Sequence, residues 1–323
     1  MILSLFSCKS GVNNSVSNDG IDTKVSKELN SIESDFIESL KNGNYDKAKT
    51  VMSELLTNSS EDQLSQFFNQ LSSTLTDGET SILDQYHIQN STGELPTTLF
   101  SSLDSVSGYV FRVKPINKEA FLSLRKIQTE PTQLLLTNLY TKYDDVWKLD
   151  MVKLGEYSIL KKNAQLLHLE AEDEYKNGNL LNASNLIFLS SQVSNPSGKL
   201  YTYKNEEEME GSFNTIIEEL KSTYSFPILF DNVSTKPNIF NLTPEIVAEG
   251  IIPTIAYQTS IPVSDTLRLK KENIEMHNKI ETVLKNIKNN NKYIIYKAMN
   301  EIPDGTKGVD TYTFVKENTE DNK

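Results

Sequence analysis

The chain has 323 residues but only one cysteine, three histidines and three arginines. A single cysteine excludes an internal disulfide framework and any cysteine-rich zinc or iron–sulfur site. His87, His168 and His277 lie too far apart in sequence to form a local metal motif. Arg112, Arg125 and Arg268 are the only guanidinium groups, which leaves little material for bidentate anion clamps. Glycine (13) and proline (10) are too scarce for a collagen-like or low-complexity chain. No apolar run approaches the ~20 residues of a membrane-spanning helix. Gly-rich phosphate loops, His-Glu-x-x-His and Gly-x-Ser-x-Gly are all missing, so the commonest nucleotide, zinc-protease and hydrolase signatures are excluded. No cofactor is expected. The net charge of −12 resides in the first two thirds, because residues 226–323 carry 13 acids and 12 bases. An acidic chain without a basic stripe repels phosphate backbones, which argues against nucleic acid as a partner.

What is present begins at the amino terminus. Met1-Ile-Leu-Ser-Leu-Phe-Ser-Cys8 is a short apolar run that ends in a small residue and then the only cysteine. It resembles the end of a bacterial lipoprotein signal peptide, with Leu5 three positions before the cysteine, Ser7 just before it, and Cys8 as the residue to be lipidated. Only seven residues precede Cys8 and none is basic, so on this reading the rest of the signal lies upstream of Met1. The alternative is a disordered N-terminus in which the cysteine is accidental. The polar stretch that follows, to Gly20, has the composition of a tether. The resemblance implies a cell-envelope address and a membrane partner reached through a lipid anchor, with another envelope protein as a further partner.

From Val25 the pattern is helical. Val25, Leu29, Ile32, Phe36, Ile37 and Leu40 fall on one face, Asn42-Gly43 closes the run, and Asn44 caps a second helix. Ser60-Glu-Asp-Gln63 has capping-box spacing and opens a third helix carrying Leu64, Phe67, Phe68, Leu71 and Leu75. Strands then follow at 82–88, 109–113, 132–143 and 146–154, the last two flanking the turn Asp144-Asp145, while 117–129 reads equally as helix or strand. Trp147, Leu149 and Met151 alternate with Lys148 and Asp150, which predicts one packed and one wetted face. Helices followed by a curved antiparallel sheet resemble the NTF2-like cone fold. The segments that carry the likeness are Phe36 to Ala48, Gln63-Leu-Ser-Gln-Phe-Phe68 and Val146-Trp-Lys-Leu-Asp150.

Residues 158–224 return to helix, and Lys41-Asn-Gly-Asn44 is echoed there by Lys176-Asn-Gly-Asn179, each followed by an inward Ala (Ala48, Ala183). The echo resembles the hinge of tetratricopeptide repeats, but a spacing of 135 residues is no solenoid period. Glu206-Glu-Glu208 is read as an acidic helix start favoured by the macrodipole. Beyond 225, strands at 226–230, 251–261, 293–302 and 310–315 surround a helix capped by Ser264, with Leu267, Ile274, Ile280, Leu284 and Ile287 inward; Pro253 and Pro262 argue for a sheet edge or a bulge.

The expected class is therefore α+β. Residues 1–23 form the signal remnant and tether, 24–157 an NTF2-like domain of helices plus a curved antiparallel sheet, 158–224 a helical hairpin spacer, 225–318 a small α+β domain, and 319–323 a tail. Proteolysis is expected after the tether and then around 195–204, a polar turn cluster. The function expected is binding or scaffolding without catalysis at the cell envelope. The alternatives are a small-molecule enzyme using the cone pocket, or a cytoplasmic helical adaptor if the cysteine motif is accidental. Candidate pocket residues are Asp84, Tyr86, His87, Tyr109, Arg112 and Tyr140; a carboxylate with Tyr or His can serve as an acid–base pair. Tyr86 and His87 are strand neighbours, so one is expected to point inward and the other out. His168 and His277 are expected to border core stripes.

Overall fold

The structure is a computed structural model that describes residues 13–58, 61–103 and 107–318. The protein is α+β, as its sequence pattern predicts. Cys8, the start of the tether, Ser60 and the tail from residue 319 lie outside the described residues. The chain forms two compact units: residues 1–163 with 193–204, and residues 164–192 with 205–323. The helical stretch 158–224 is therefore no separate spacer. Its helices belong to the second unit, while 193–204 belongs to the first.

The first unit starts earlier than expected. Asn13–Ser17, read from sequence as tether, is strand β1, paired antiparallel with β2 (Glu79–Asn90). Between them lie α1 (Thr23–Lys41), α2 (Tyr45–Thr50), α3 (Glu54–Thr57) and α4 (Glu61–Asp77). The Asp22 side chain caps α1 by accepting from the amides of Lys24 and Val25, and Asn44 caps α2. Gly43, at φ 64°, ends α1 with the Asn44 amide donating to Ser39 and the Gly43 amide to Leu40, a Schellman turn.

Strands β3 (Thr97–Phe100), β4 (Tyr109–Val113), β5 (Glu119–Gln128), β6 (Thr132–Tyr143), β7 (Val146–Ile159), β8 (Lys162–Asn163) and β9 (Tyr201–Tyr203) complete the unit. Six of these strands make one sheet in the order β1-β2-β5-β6-β7-β8; β3, β4 and β9 make another. The ambiguous 117–129 is strand because both its faces are covered. Phe121 and Ile127 pack with Phe36, Leu71 and Leu75 of the helices, while Ala120, Leu122 and Leu124 are equally buried on the other face.

Continuous burial, rather than alternation, thus marks the middle of the large sheet. Trp147 and Leu149 join the helix-facing core as expected, but Met151 does not. A bulge between Leu139 and Tyr140 in the register with β7 shifts the phase, so Val152 and Leu154 take the inward places.

The segment 193–204 is likewise no exposed linker. Ser197, Tyr201 and Tyr203 are buried, Tyr201 stacks on Tyr109 at 4.5 Å, and the Ser197 hydroxyl lies 2.6 Å from that of Thr137.

The second unit holds α5 (Ala164–Lys176), α6 (Leu180–Gln192), α7 (Glu206–Thr223) and α8 (Thr266–Lys279). Its sheet is β10 (Ile228–Leu229), β11 (Asn238–Val247), β12 (Gly250–Gln258), β13 (Tyr293–Met299) and β14 (Thr311–Glu317) in sequence order. The α5–α6 turn repeats the α1–α2 turn bond for bond, with Gly178 at φ 77° and the Asn179 amide donating to Glu174.

β12 is central, not an edge, despite Pro253. It faces Pro244 of β11, and two prolines can oppose each other only as a pair whose N–H positions turn outward. Neither outward side is paired there, since β10 pairs with β11 only as far as Ile239 and β13 pairs with β12 only from Thr254 on. Asp265 rather than Ser264 caps α8. Leu267 and Ile274 are 73% and 51% exposed, while Leu269, Met276 and the buried polar pair Glu272 and Asn273 face the sheet. Glu272 is accommodated by the hydroxyls of Thr259 (2.8 Å) and Thr235.

Gly155 tests how 193–204 is held. A Cβ there would lie 2.2 Å from the Pro196 carbonyl oxygen and 2.9 Å from its carbon, backbone atoms that cannot turn aside. Gly155→Ala should lower stability by ~1–3 kcal/mol and open residues 195–204 to protease. An unchanged melting temperature with the segment still protected would refute this packing.

Candidate functional site

The sequence candidates separate onto two faces of one sheet. A bulge between Ile82 and Asp84 sets the phase so that Asp84 and Tyr86 share one face and Gln85 and His87 the other. Both faces are covered, so Tyr86 and His87 are both buried, at 2% and 5% exposure, contrary to the expectation that one would point out.

Asp84, Tyr86 and Tyr109 do come together. The Tyr109 hydroxyl donates to Asp84 Oδ2 at 2.5 Å and Tyr86 reaches the same oxygen at 3.4 Å; Ser102 (2.5 Å) and Asn18 (2.7 Å) donate to Oδ1. Burial above all raises both tyrosines well beyond the ordinary range, with Asp84 adding to it. Phenols that stay protonated and donate to a fully buried carboxylate form a buried hydrogen-bonded knot.

Tyr140 lies on the helix-facing side beside a second knot. Glu33 of α1 accepts from Arg125 Nε at 2.6 Å, from Ser123 at 2.9 Å and from Asn138 at 2.9 Å. Burial raises the Tyr140 phenol, with Glu33 adding to the rise and Arg125 opposing it. Arg112 is exposed and donates to the Thr202 hydroxyl at 3.2 Å, away from both knots.

His87 marks the accessible site. Its Nε2 lies 3.0 Å from Glu119 Oε1, whose other oxygen pairs with Lys142 at 3.2 Å. Lys142 stands 5.4 Å over the Trp147 ring, and the His87 ring meets Trp147 edge-on at 6.3 Å. In front of this row opens a cleft of about 440 Å³ lined by Asn117, Lys118, Glu119, Lys142, Tyr143 and Asp144. Tyr143 at its rim is pushed up to about 12, first by burial and then by its hydrogen bond to Asp150. Two ammonium groups, two carboxylates and a phenol can hold a polar ligand carrying either charge. Glu119 was missed because the ambiguity over 117–129 left no face on which to place it, and without it nothing marked Lys142, in the strand 132–143, as its partner.

The remaining histidines lie in the second unit. His168, on α5, is fully buried, and burial lowers its pKa; Glu172 and Glu208 pull the other way. His277 packs on Tyr296, Nδ1 to hydroxyl 3.0 Å. Compared with models of known protein families and with curated protein sequences, the chain matches none.

Two predictions follow from this geometry. Glu33→Ala strands the Arg125 guanidinium and should cost ~3–5 kcal/mol in urea unfolding. Glu119→Ala, at the solvated cleft, should cost no more than about 1 kcal/mol. Equal losses would mean that Glu33 is not the structural carboxylate.

The second concerns pH. Burial lowers His277 from the ordinary 6.5 to about 4, with Lys288 and Lys316 contributing. Below its ordinary pKa the unfolded chain binds a proton that the folded chain refuses. Its contribution is therefore complete above pH 6.5 and is lost as pH falls toward 4. His277→Asn should flatten the fall of melting temperature across that window; an unchanged slope would contradict the assignment.

Proposed function

We propose that this chain is a lipid-anchored protein of the bacterial cell envelope, and that its first unit, of NTF2-like type, binds or scaffolds a partner rather than catalysing a reaction. The observation that carries the address is the Leu5-Phe-Ser-Cys8 junction, with strand β1 beginning at Asn13. From Cys8 to Asn13 is five residues, a reach of at most ~18 Å. A lipidated Cys8 would therefore hold the β1 edge against the bilayer on a short leash. Two or three acyl chains give stable anchoring at ~0.8 kcal/mol per buried methylene.

Support for binding over catalysis comes from where the ionisable groups stand. Asp84 and Glu33 are consumed by the knots that hold helices and sheets together. A catalytic reading needs His87 as the base, and its Nε2 already pairs with Glu119 beneath the cleft floor. The cleft remains as the ligand or partner surface, and another envelope protein is the partner proposed.

Expressed with its upstream genomic sequence, the protein should incorporate palmitate and partition into detergent, and Cys8→Ser should abolish both. Labelling that survives the substitution refutes the anchor. Turnover of a small molecule that disappears in His87→Ala at unchanged melting temperature refutes the binding reading.

A further inference from the structure

The triad of His168, Glu172 and Glu208 in the second unit is used by nothing described so far. His168 and Glu172 stand four residues apart on α5, on one face of the helix, and Glu208 sits in the first turn of α7. One nitrogen of His168 and one carboxylate oxygen from each glutamate lie within 4.8 Å of one another. The His168 side chain is 1% exposed, yet neither Nδ1 nor Nε2 has a hydrogen-bond partner, and Nε2 stops 3.7 Å from Glu172 Oε1. A buried imidazole with both nitrogens idle forfeits the full cost of desolvation. No protein donor or acceptor among the described residues repays it.

We propose that His168, Glu172 and Glu208 bind a divalent transition-metal ion of the zinc class. One imidazole and two carboxylates are a ligand set suited to such ions, and the imidazole disfavours calcium or magnesium, which prefer all-oxygen shells. The buried histidine supplies the inner ligand, the half-buried Glu172 the second, and the exposed Glu208 the outer one, with water completing the shell on the solvent side.

Glu172 is already oriented from behind. The Ser212 hydroxyl donates to its Oε1 at 2.8 Å, the kind of outer-shell bond that fixes a metal-ligating carboxylate, and Lys176 meets its other oxygen at 3.3 Å. Ser212 lies on α7 with Glu208, so the ion would bridge the same two helices that this hydrogen bond joins.

Full-length protein stripped with a chelator and titrated with Zn²⁺ against a chromophoric competitor should take up one ion at this site, with a rise in melting temperature. Co²⁺ in its place should give visible bands of mixed nitrogen and oxygen ligation. Glu208→Gln and Glu172→Gln should each weaken binding by at least about tenfold, and His168→Asn should remove it. His277→Asn and Cys8→Ser, which remove two other side chains of types that ligate such ions, should leave it intact. Should His168→Asn fail to fold, Glu208→Gln still decides, because its carboxylate is exposed. No uptake at sub-millimolar Zn²⁺, or uptake unchanged in Glu208→Gln and Glu172→Gln, overturns the proposal.

Discussion

Glu33 is 1% exposed under helix α1, and three side chains from two neighbouring strands converge on it: Ser123 and Arg125 from β5, Asn138 from β6. Each partner is 90 or more residues away in sequence. Apolar contact alone would let α1 slide along the sheet, because Phe36, Leu40 and Leu71 present no directional preference. A buried carboxylate does not permit sliding: displaced by one residue it loses all its donors while remaining out of water. Buried ion pairs are weak evidence for stability, since desolvation offsets much of the attraction. Their contribution here is register, and α1 in register is what places the rest of the helical layer over the sheet.

The opposite face is fixed by the same physics with neutral donors. Asp84 gathers two phenols, a hydroxyl and an amide from four separate chain segments, which locks the small sheet and the first residues of the fold onto the large one. The row His87, Glu119 and Lys142 lies at the β6–β7 hairpin end of the helix-facing side, where Glu119 and Lys142 line a cleft. Site and scaffold are thus separated by burial rather than by residue type.

What could be read from sequence was whatever depends on neighbours close along the chain. The α1 stripe, both Lys-Asn-Gly-Asn turns, the hairpin at Asp144-Asp145 and the burial of Trp147 all follow from spacing within a dozen residues. What could not be read depends on pairing at long range. Tyr201–Tyr203 becomes a strand only because β4, some 90 residues earlier, offers an edge, and Asn13–Ser17 only because β2 does. β11 is interrupted by Asn241 and Pro244, residues that signal a loop until their partner strand is known. A single bulge opposite Leu139 was enough to move Met151 out of the core and Val152 in, since strand phase has no tolerance for an extra residue.

The deeper difficulty was polar residues at inward helix positions. Several helices bury such residues, Glu33 in α1, His168 in α5 and Glu272 in α8 among them, and pattern-reading assigned inward places only to apolar side chains. In α1, Glu33 meets a guanidinium; in α8, Glu272 meets two threonine hydroxyls, which displaces the stripe and leaves Leu267 and Ile274 outside. Glu33 has partners on both oxygens and Glu272 on Oε1, as buried polar groups generally do. In α5, His168 is as deeply buried as either glutamate, its two nitrogens have no hydrogen-bond partner, and two carboxylates stand near it at a distance too long for a hydrogen bond and suited to an ion between them. The same rule leaves both nitrogens of His168 incomplete, and a cation between the imidazole and the two carboxylates would complete all three at once.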